Sequence, residues 1–235
     1  GNVVTATGPT LVRDVTPPAT PAAPTGYADD VGAIQSATSN AATTDDTTPG
    51  INVGAGLTDT PSLYVNGVKV ASTYDPVTGT LTPNVALGTG SYALTYTVTD
   101  AAGNESGQSG PLNFTVNTQA PSAPTGITVT ASGGTVVADA LNSTNTALDF
   151  AATITAGQAT GGKAEFYVNG VLIGTDSSIA AGDTTVSYTT SDGTPTTAEL
   201  QAAVAAGGAL TVKLYDATGN VVTATGPTLV RDVTP

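Results

Sequence analysis

The sequence predicts an all-β chain of two β-sandwich domains joined end to end, with one short helix in the second. Short apolar-alternating segments are broken by turn residues about every ten positions, the spacing of an antiparallel sandwich. Two Asn-Gly pairs each sit between two such segments. The third observation is that the chain repeats itself, which fixes the domain plan before any strand is assigned.

Residues 1–17 read GNVVTATGPTLVRDVTP, and residues 219–235 read the same letters, an offset of 219 − 1 = 218. Chance does not give an identity of that length, so the chain is expected to be slightly more than one period of a tandem array, an internal piece of something longer. Within the period, Ala23-Pro24-Thr25-Gly26 recurs as Ala123-Pro124-Thr125-Gly126, and Leu63-Tyr64-Val65-Asn66-Gly67-Val68 as Phe166-Tyr167-Val168-Asn169-Gly170-Val171. Asp100-Ala101-Ala102-Gly103-Asn104 recurs as Asp216-Ala217-Thr218-Gly219-Asn220. The offsets grow from 100 to 103 to 116, so the second domain carries an insertion before its Asp-Ala-Thr-Gly-Asn loop. The expected plan is a last strand and linker of a preceding repeat over 1–17, one domain over 18–119 and a homologous one over 120–235. Pro- and Ala-rich joints at 17–21 and 120–124 favour extended backbone and act as semi-rigid spacers.

Each Asn-Gly supplies two positive-φ residues for a type I′ turn, which predicts hairpins over 62–70 and 165–173. Residues 92–98 alternate large and small along one long strand, and 112–116 and 221–230 read as closing strands. Thr fills many outward positions, where a β-branched polar side chain suits a solvated pleat. The insertion, 196–206, is the helical stretch: Thr196 and Glu199 form a capping-box pattern, Ala fills the body and Gly207-Gly208 ends it. A single surface helix crossing between strands is expected there.

Composition narrows the function. Among 235 residues, 18 are acidic and 5 basic, a net charge of −13 that repels nucleic acid phosphates and anionic membrane surfaces. His, Cys, Trp and Met are absent, which removes disulfides, thiolate or imidazole metal sites, and Ser-His or Cys-His nucleophile pairs. Leu, Ile, Val and Phe make up only about 20% of the chain, so the cores are thin and Val/Ala/Thr-rich and call for added support. No apolar run approaches the length of a membrane span.

The first domain gathers acid. Asp29-Asp30 precede Val31-Gly32, Asp45-Asp46 lie in Thr43-Thr44-Asp45-Asp46-Thr47-Thr48-Pro49, Asp100 opens Asp-Ala-Ala-Gly-Asn, and Asp14 lies in the preceding joint. Adjacent like charges destabilise a fold unless a cation sits among them. A hard divalent ion takes roughly six to eight oxygen ligands from flexible loops, so with His and Cys absent calcium is the fitting cofactor. In a seven-stranded sandwich the last inter-strand loop lies where the chain enters, which lets Asp100 and Asn104 face Asp14 at the joint. Asp29, Asp30, Asp45 and Asp46 fall on the connection between the first two strands. The competing reading makes these aspartates turn formers only, and for Asp100 alone it is the better one. The second domain is poorer in acid: Ser132-Gly133-Gly134 and Asn142-Ser143-Thr144-Asn145 stand where the first has its pairs, and Asn117 stands in its joint. It keeps Asp216 as a candidate ligand.

Asp-Asp-Val-Gly, Thr-Asp-Asp-Thr-Thr-Pro, Val-Asn-Gly and Asp-Ala-Ala-Gly-Asn, in that order, resemble the bacterial Ig-like extender domains of giant RTX adhesins, type I-secreted proteins of Gram-negative cell surfaces. The two-domain alternation looks most like the repeats of LapA-type biofilm adhesins. The resemblance covers 18–119 well and 120–235 in outline. It implies an Ig-like sandwich in linear tandem, tethered outside the cell, whose joints calcium rigidifies so that a distal ligand-binding domain is held away from the surface. The calcium residues it implies are Asp14, Asp29, Asp30, Asp45, Asp46 and Asp100. Expected partners are neighbouring repeats of the same chain, in a monomer whose residues 1–17 either hang loose or add to a neighbour's sheet edge. A rival reading is a carbohydrate- or surface-binding module, but no Trp is present, and the tyrosines, Tyr92 and Tyr96 among them, fall in strand patterns that suit packing. A carboxylate-only hydrolase is disfavoured, because Asp-Asp beside Gly and Thr offers no apolar pocket to raise one pKa.

Overall fold

Strands of two to ten residues, rich in Thr and Val and separated by Gly, Pro and Asn, mostly bury one face and therefore need a partner sheet. The computed structural model describes residues 4, 8, 12–137, 140–142, 144–190, 202, 204 and 208–232. The chain divides into two units, Gly1–Asp30 with Gln35–Val116, and Val31–Ile34 with Asn117–Pro235.

In the first unit the strands are β1 (Tyr27–Asp29), β2 (Ser36–Ser39), β3 (Thr43–Thr44), β4 (Gly50–Asn52), β5 (Thr60–Val65), β6 (Val68–Val70), β7 (Ser72–Asp75), β8 (Thr80–Pro83), β9 (Gly90–Thr99) and β10 (Leu112–Val116). They form two sheets, in the orders β2-β1-β4-β8-β7 and β3-β10-β9-β5-β6. Seven strands were expected. The difference comes from β2 and β3, short strands inside the connection after β1, and from β7, which follows β6 after one residue and joins the other sheet. Tyr27, Ile51 and Leu81 from one sheet and Leu63, Leu94, Phe114 and Val116 from the other make one buried cluster, so the sheets are the two layers of a sandwich. The rings of Tyr27 and Phe114 are 5.0 Å apart across it. Every pairing is antiparallel except β3 with β10, where Thr43 faces Thr115 and Thr44 faces Val116.

The second unit contains β11 (Thr125–Ser132), β12 (Ala140–Asn142), β13 (Ala147–Thr153), β14 (Lys163–Val168), β15 (Val171–Asp176), β16 (Thr185–Thr189), β17 (Ala209–Tyr215), β18 (Val221–Thr228) and β19 (Val230–Asp232). A β11-β13-β16 sheet packs on a β15-β14-β17-β18 sheet, and β12 pairs in parallel with β19. Leu148, Phe150 and Val186 meet Phe166, Val168, Leu210, Val212 and Leu214 in its core.

Both hairpins form as the Asn-Gly pairs require. Asn66 and Gly67 have φ of 49° and 80°, and Asn169 and Gly170 have 48° and 80°, the two positive values of a type I′ turn. The long strand expected over 92–98 is β9, and Tyr96 and Val98 face the core from it. The helix expected over 196–206 lies outside the described residues apart from Ala202 and Val204, both of which are helical. Val204 is 4% exposed and belongs to the core. Most of residues 1–17 also lie outside the described set; Val4, Gly8 and 12–17 are exposed and in no strand.

Candidate functional site

Strand alternation decides where the first acidic pair points. In β1, Tyr27 faces the core, Ala28 faces out and Asp29 faces in again, so Asp29 ends the strand only 8% exposed while Asp30 is in solvent. Asp29 therefore belongs to a strand and not to the connection after it. The second pair follows β3, which is anchored by its parallel ladder to β10 and by the Thr115 N–H donating to the Ala42 carbonyl at 2.9 Å.

A hydrogen-bond relay links the two pairs. The Thr44 hydroxyl, 1% exposed, donates to Asp29 Oδ2 at 2.7 Å and accepts from the Asp46 N–H at 3.0 Å. Asp46 Oδ1 then accepts from the Thr48 N–H at 2.7 Å, closing a turn of the kind aspartate favours. Asp46 is 2% exposed, and burial raises its pKa; the Thr48 N–H opposes this, while the charges of Asp30 and Asp29 raise it further. Burial, and then the charges of Asp29 and Asp46, likewise raise Tyr27, whose hydroxyl donates to the Ala41 carbonyl at 2.9 Å. The structure thus brings Asp29, Asp30 and Asp46 into one electrostatic neighbourhood, with half-buried Asp45 beside them. Asp30 and Asp46 border a groove of about 710 Å³ that also touches Thr48, Asn52, Asp75 and Thr78.

Among the described residues, no three acidic side chains converge closely enough to enclose a metal ion. The donor chemistry nevertheless suits calcium. Every donor is an oxygen, and Asp46 is buried where two neighbouring carboxylates disfavour its charge, an arrangement that a hard cation would relieve.

The other candidates are engaged locally. Asp14, exposed, accepts from the Thr16 N–H at 3.0 Å. Asp100 is consumed by its own loop: Oδ1 accepts from the Ala102 and Asn104 N–H groups at 2.9 and 2.8 Å, and Oδ2 from the Asn104 side-chain amide at 2.9 Å. That side-chain amide, followed by the Asn104 N–H, lowers the Asp100 pKa. Asp216 is used the same way, accepting from Thr218 N–H and hydroxyl, from Asn220 N–H and side chain, and from Asn117 Nδ2 at 3.3 Å. These aspartates act as turn formers, Gly103 and Gly219 taking φ of 91° and 100° to close the loops.

In the second unit amides stand in place of the second acidic pair. Asn145, 4% exposed, accepts from the Asn142 N–H at 2.8 Å and donates to the Gly133 and Thr135 carbonyls at 2.8 and 3.0 Å. Asn142 donates to the Thr135 carbonyl at 2.7 Å. A carboxylate has no proton to give to a carbonyl; an amide both gives and accepts, so this corner is stitched without charge.

Two further clusters went unread in the sequence. Glu165 is 8% exposed and accepts from Lys163 Nζ at 2.6 Å, Tyr167 at 2.7 Å and Tyr215 at 3.0 Å. Burial pushes its pKa up, but these three donors outweigh it and hold the carboxyl below its ordinary value. Glu105 accepts from Thr97 at 2.6 Å, Tyr64 at 2.9 Å and Lys69 at 3.0 Å, and these bonds, Thr97's foremost, bring it down to about 2. The Lys163, Glu165, Tyr167 spacing along one strand was the available signal, since positions two apart share a face. Lysines also cover the aromatic rings: Lys69 lies 5.8 Å from the Tyr64 ring centre, Lys163 4.7 Å from Tyr215 and Lys213 4.9 Å from Tyr167. Tyr27 and Tyr96 are buried, and Tyr92 packs 6.5 Å from Phe114. These tyrosines are thus spent on packing, hydrogen bonds to carboxylates and cation–π contacts.

Residues 22–118 match the family model of a bacterial Ig-like domain. No curated protein sequence matches the chain significantly. Among solved structures, the chain is similar to the fibronectin(III)-like modules of Clostridium thermocellum CbhA, at 18% identity and a TM-score of 0.45 over 80% of this chain and 87% of that one. It is similar to a 1.5-MDa bacterial ice-binding adhesin at 19% identity and a TM-score of 0.30, over 80% of this chain and 57% of that one. A third similarity is to Streptomyces avermitilis α-L-rhamnosidase, at 11% identity and a TM-score of 0.20, over 78% and 23% of the two chains.

Proposed function

We propose that this chain is a spacer segment of a bacterial cell-surface adhesin that works outside the cell in adhesion and biofilm formation, its Ig-like units set in tandem to carry a distal binding domain. The observation that carries the reading is the 17-residue identity between 1–17 and 219–235, which supports a chain of slightly more than one period of a tandem array. The bacterial Ig-like match over 22–118 and the Pro-rich joints support it. Calcium is the proposed stiffening agent, and Asp29, Asp30 and Asp46, with Asp45 beside them, are the residues that would hold it. What the ion supplies is positive charge: it neutralises carboxylates that otherwise repel one another at the rim of the core. Asp14, Asp100 and Asp216 have a secondary place in this proposal, because their oxygens already serve local turns.

The chain's own residues set how much a bound ion matters. Thr44 orients Asp29, the β3–β10 ladder fixes Thr44, and the Asp46 turn presents that carboxylate beside them. A site that binds only the folded state adds about 2.7 kcal/mol at a free-ion concentration of 100 times Kd. That is a large share of the roughly 5–15 kcal/mol of an ordinary domain. Small-angle scattering in calcium and in chelator tests the spacer role. The proposal expects a longer maximum dimension in calcium, and an unchanged one opposes it.

A further inference from the structure

The closing strand of the second unit is written twice in the chain, Val3–Asp14 repeating Val221–Asp232 residue for residue. The seat of the later copy is defined. β18 runs antiparallel to β17, with Leu214 opposite Val222 and Thr211 opposite Thr225. The chain then turns through Leu229 into β19, which runs parallel to β12 with Ala140 opposite Val230 and Asn142 opposite Asp232.

Three positions make that seat selective. Val222 packs on the core, and Leu229, 2% exposed, lies inside it with its N–H donating to the Gly208 carbonyl at 2.9 Å. At Gly226 a Cβ would meet Ile127 Cγ2 at 2.6 Å and Leu210 Cδ2 at 3.0 Å, so any larger residue there forces the core side chains to shift. The earlier copy offers Val4, Gly8 and Leu11 at the matching places. Val4 is 93% exposed, and Val4 and Gly8 belong to no strand.

We propose that the seat on β17 and β12 is a recognition site for residues 3–14 of a second copy of this chain, taken up when the resident strand leaves it. The incoming strand makes the same contacts as the one it replaces, so the local energies are equal. The resident copy wins in the intact chain only because it is tethered, which gives it a high effective concentration. Once it is displaced, the trans copy is the best-matched occupant, and each chain then offers one donor strand and one seat. Such head-to-tail pairing closes into dimers or extends into chains. This proposal does not depend on the spacer function or on calcium.

The test uses the full chain. Leu229→Asp places a charge where the core closes and evicts the resident strand while leaving Leu11 intact. Light scattering after gel filtration should show dimers and larger species that increase with concentration, with the second unit's melting transition retained. Leu11→Asp in the same background should return the protein to monomer and abolish that transition. Gly8→Val in that background should do the same through the clash at the Gly226 position. Leu11→Asp alone should leave a monomer with both transitions intact. An L229D chain that stays monomeric at every concentration overturns the proposal, and so does equal association by L229D and L11D/L229D.

Discussion

Glu165 is a buried carboxylate that ties three side chains of the second unit together, and replacing it with Ala removes the acceptor of three donors at once. Lys163, Tyr167 and Tyr215 reach it at 2.6, 2.7 and 3.0 Å. A hydrogen bond to a charged group contributes roughly 1.5–3 kcal/mol net, and three sharing one carboxylate do not add. The Lys163 side chain is 42% exposed and can be rehydrated, which trims the loss further. About 3 kcal/mol is expected, or a fall of roughly 10–20 °C in the melting midpoint of a unit this size. Glu165→Gln keeps one acceptor and should cost about half as much. Calorimetry reads both. Tyr167 supplies an independent readout, because its bond to Glu165, with burial behind it, pushes its pKa up to about 12. In E165Q the tyrosine absorbance titration should lose its most alkaline step. An E165A protein that melts like wild type, with that step unchanged, would refute the cluster's role.

Acid should weaken both units through the same chemistry. Glu105 and Glu165 have folded pKa values below their unfolded ones, so their stabilisation is complete above the unfolded value of about 4.3 and is lost as pH falls through the folded values, about 2 for Glu105. Melting midpoints should drop over that window, with a shallower drop in E165Q; Glu105 is 37% exposed and contributes the smaller part. Asp46→Asn keeps the oxygen that accepts from Thr48 and removes a charge repelled by Asp29 and Asp30. It should raise the midpoint in chelator by about 1–2 kcal/mol equivalent and erase the gain from calcium, which melting in both buffers reads. Gly170→Val forces a β-branched residue to φ near 80° in a type I′ turn and should cost about 1–2 kcal/mol by denaturant titration; equal stability would contradict the turn assignment.

What the sequence makes legible follows from the range of each signal. Asn66-Gly67 and Asn169-Gly170 name their turns because two positive φ values in a row leave little choice of residue. The strand alternation of β10 likewise reads directly as burial, and that of β9 does so as far as Tyr96, beyond which Thr97 is buried out of turn. The buried position of Asp29 was hidden because an Asp-Asp pair looks like loop, whereas the pleat turns one of the two inward. The turn role that the sequence favours for Asp100 is visible in both Asp100 and Asp216, since the Asn four residues on delivers two donors to the same carboxylate. The Glu105 cluster joins β5, β6 and β9 to a loop, and local pattern does not report pairing of that range.

Calorimetric melting of the full chain in millimolar calcium and in chelator, with magnesium at matched ionic strength as control, probes the acidic corner most directly. If Asp29, Asp30 and Asp46 take up the ion, one transition rises by roughly 10–20 °C in calcium alone, the equivalent of about 2.7 kcal/mol in a unit of this size. Identical melting curves in calcium, magnesium and chelator would leave those carboxylates held by protein hydrogen bonds alone and remove calcium from the account.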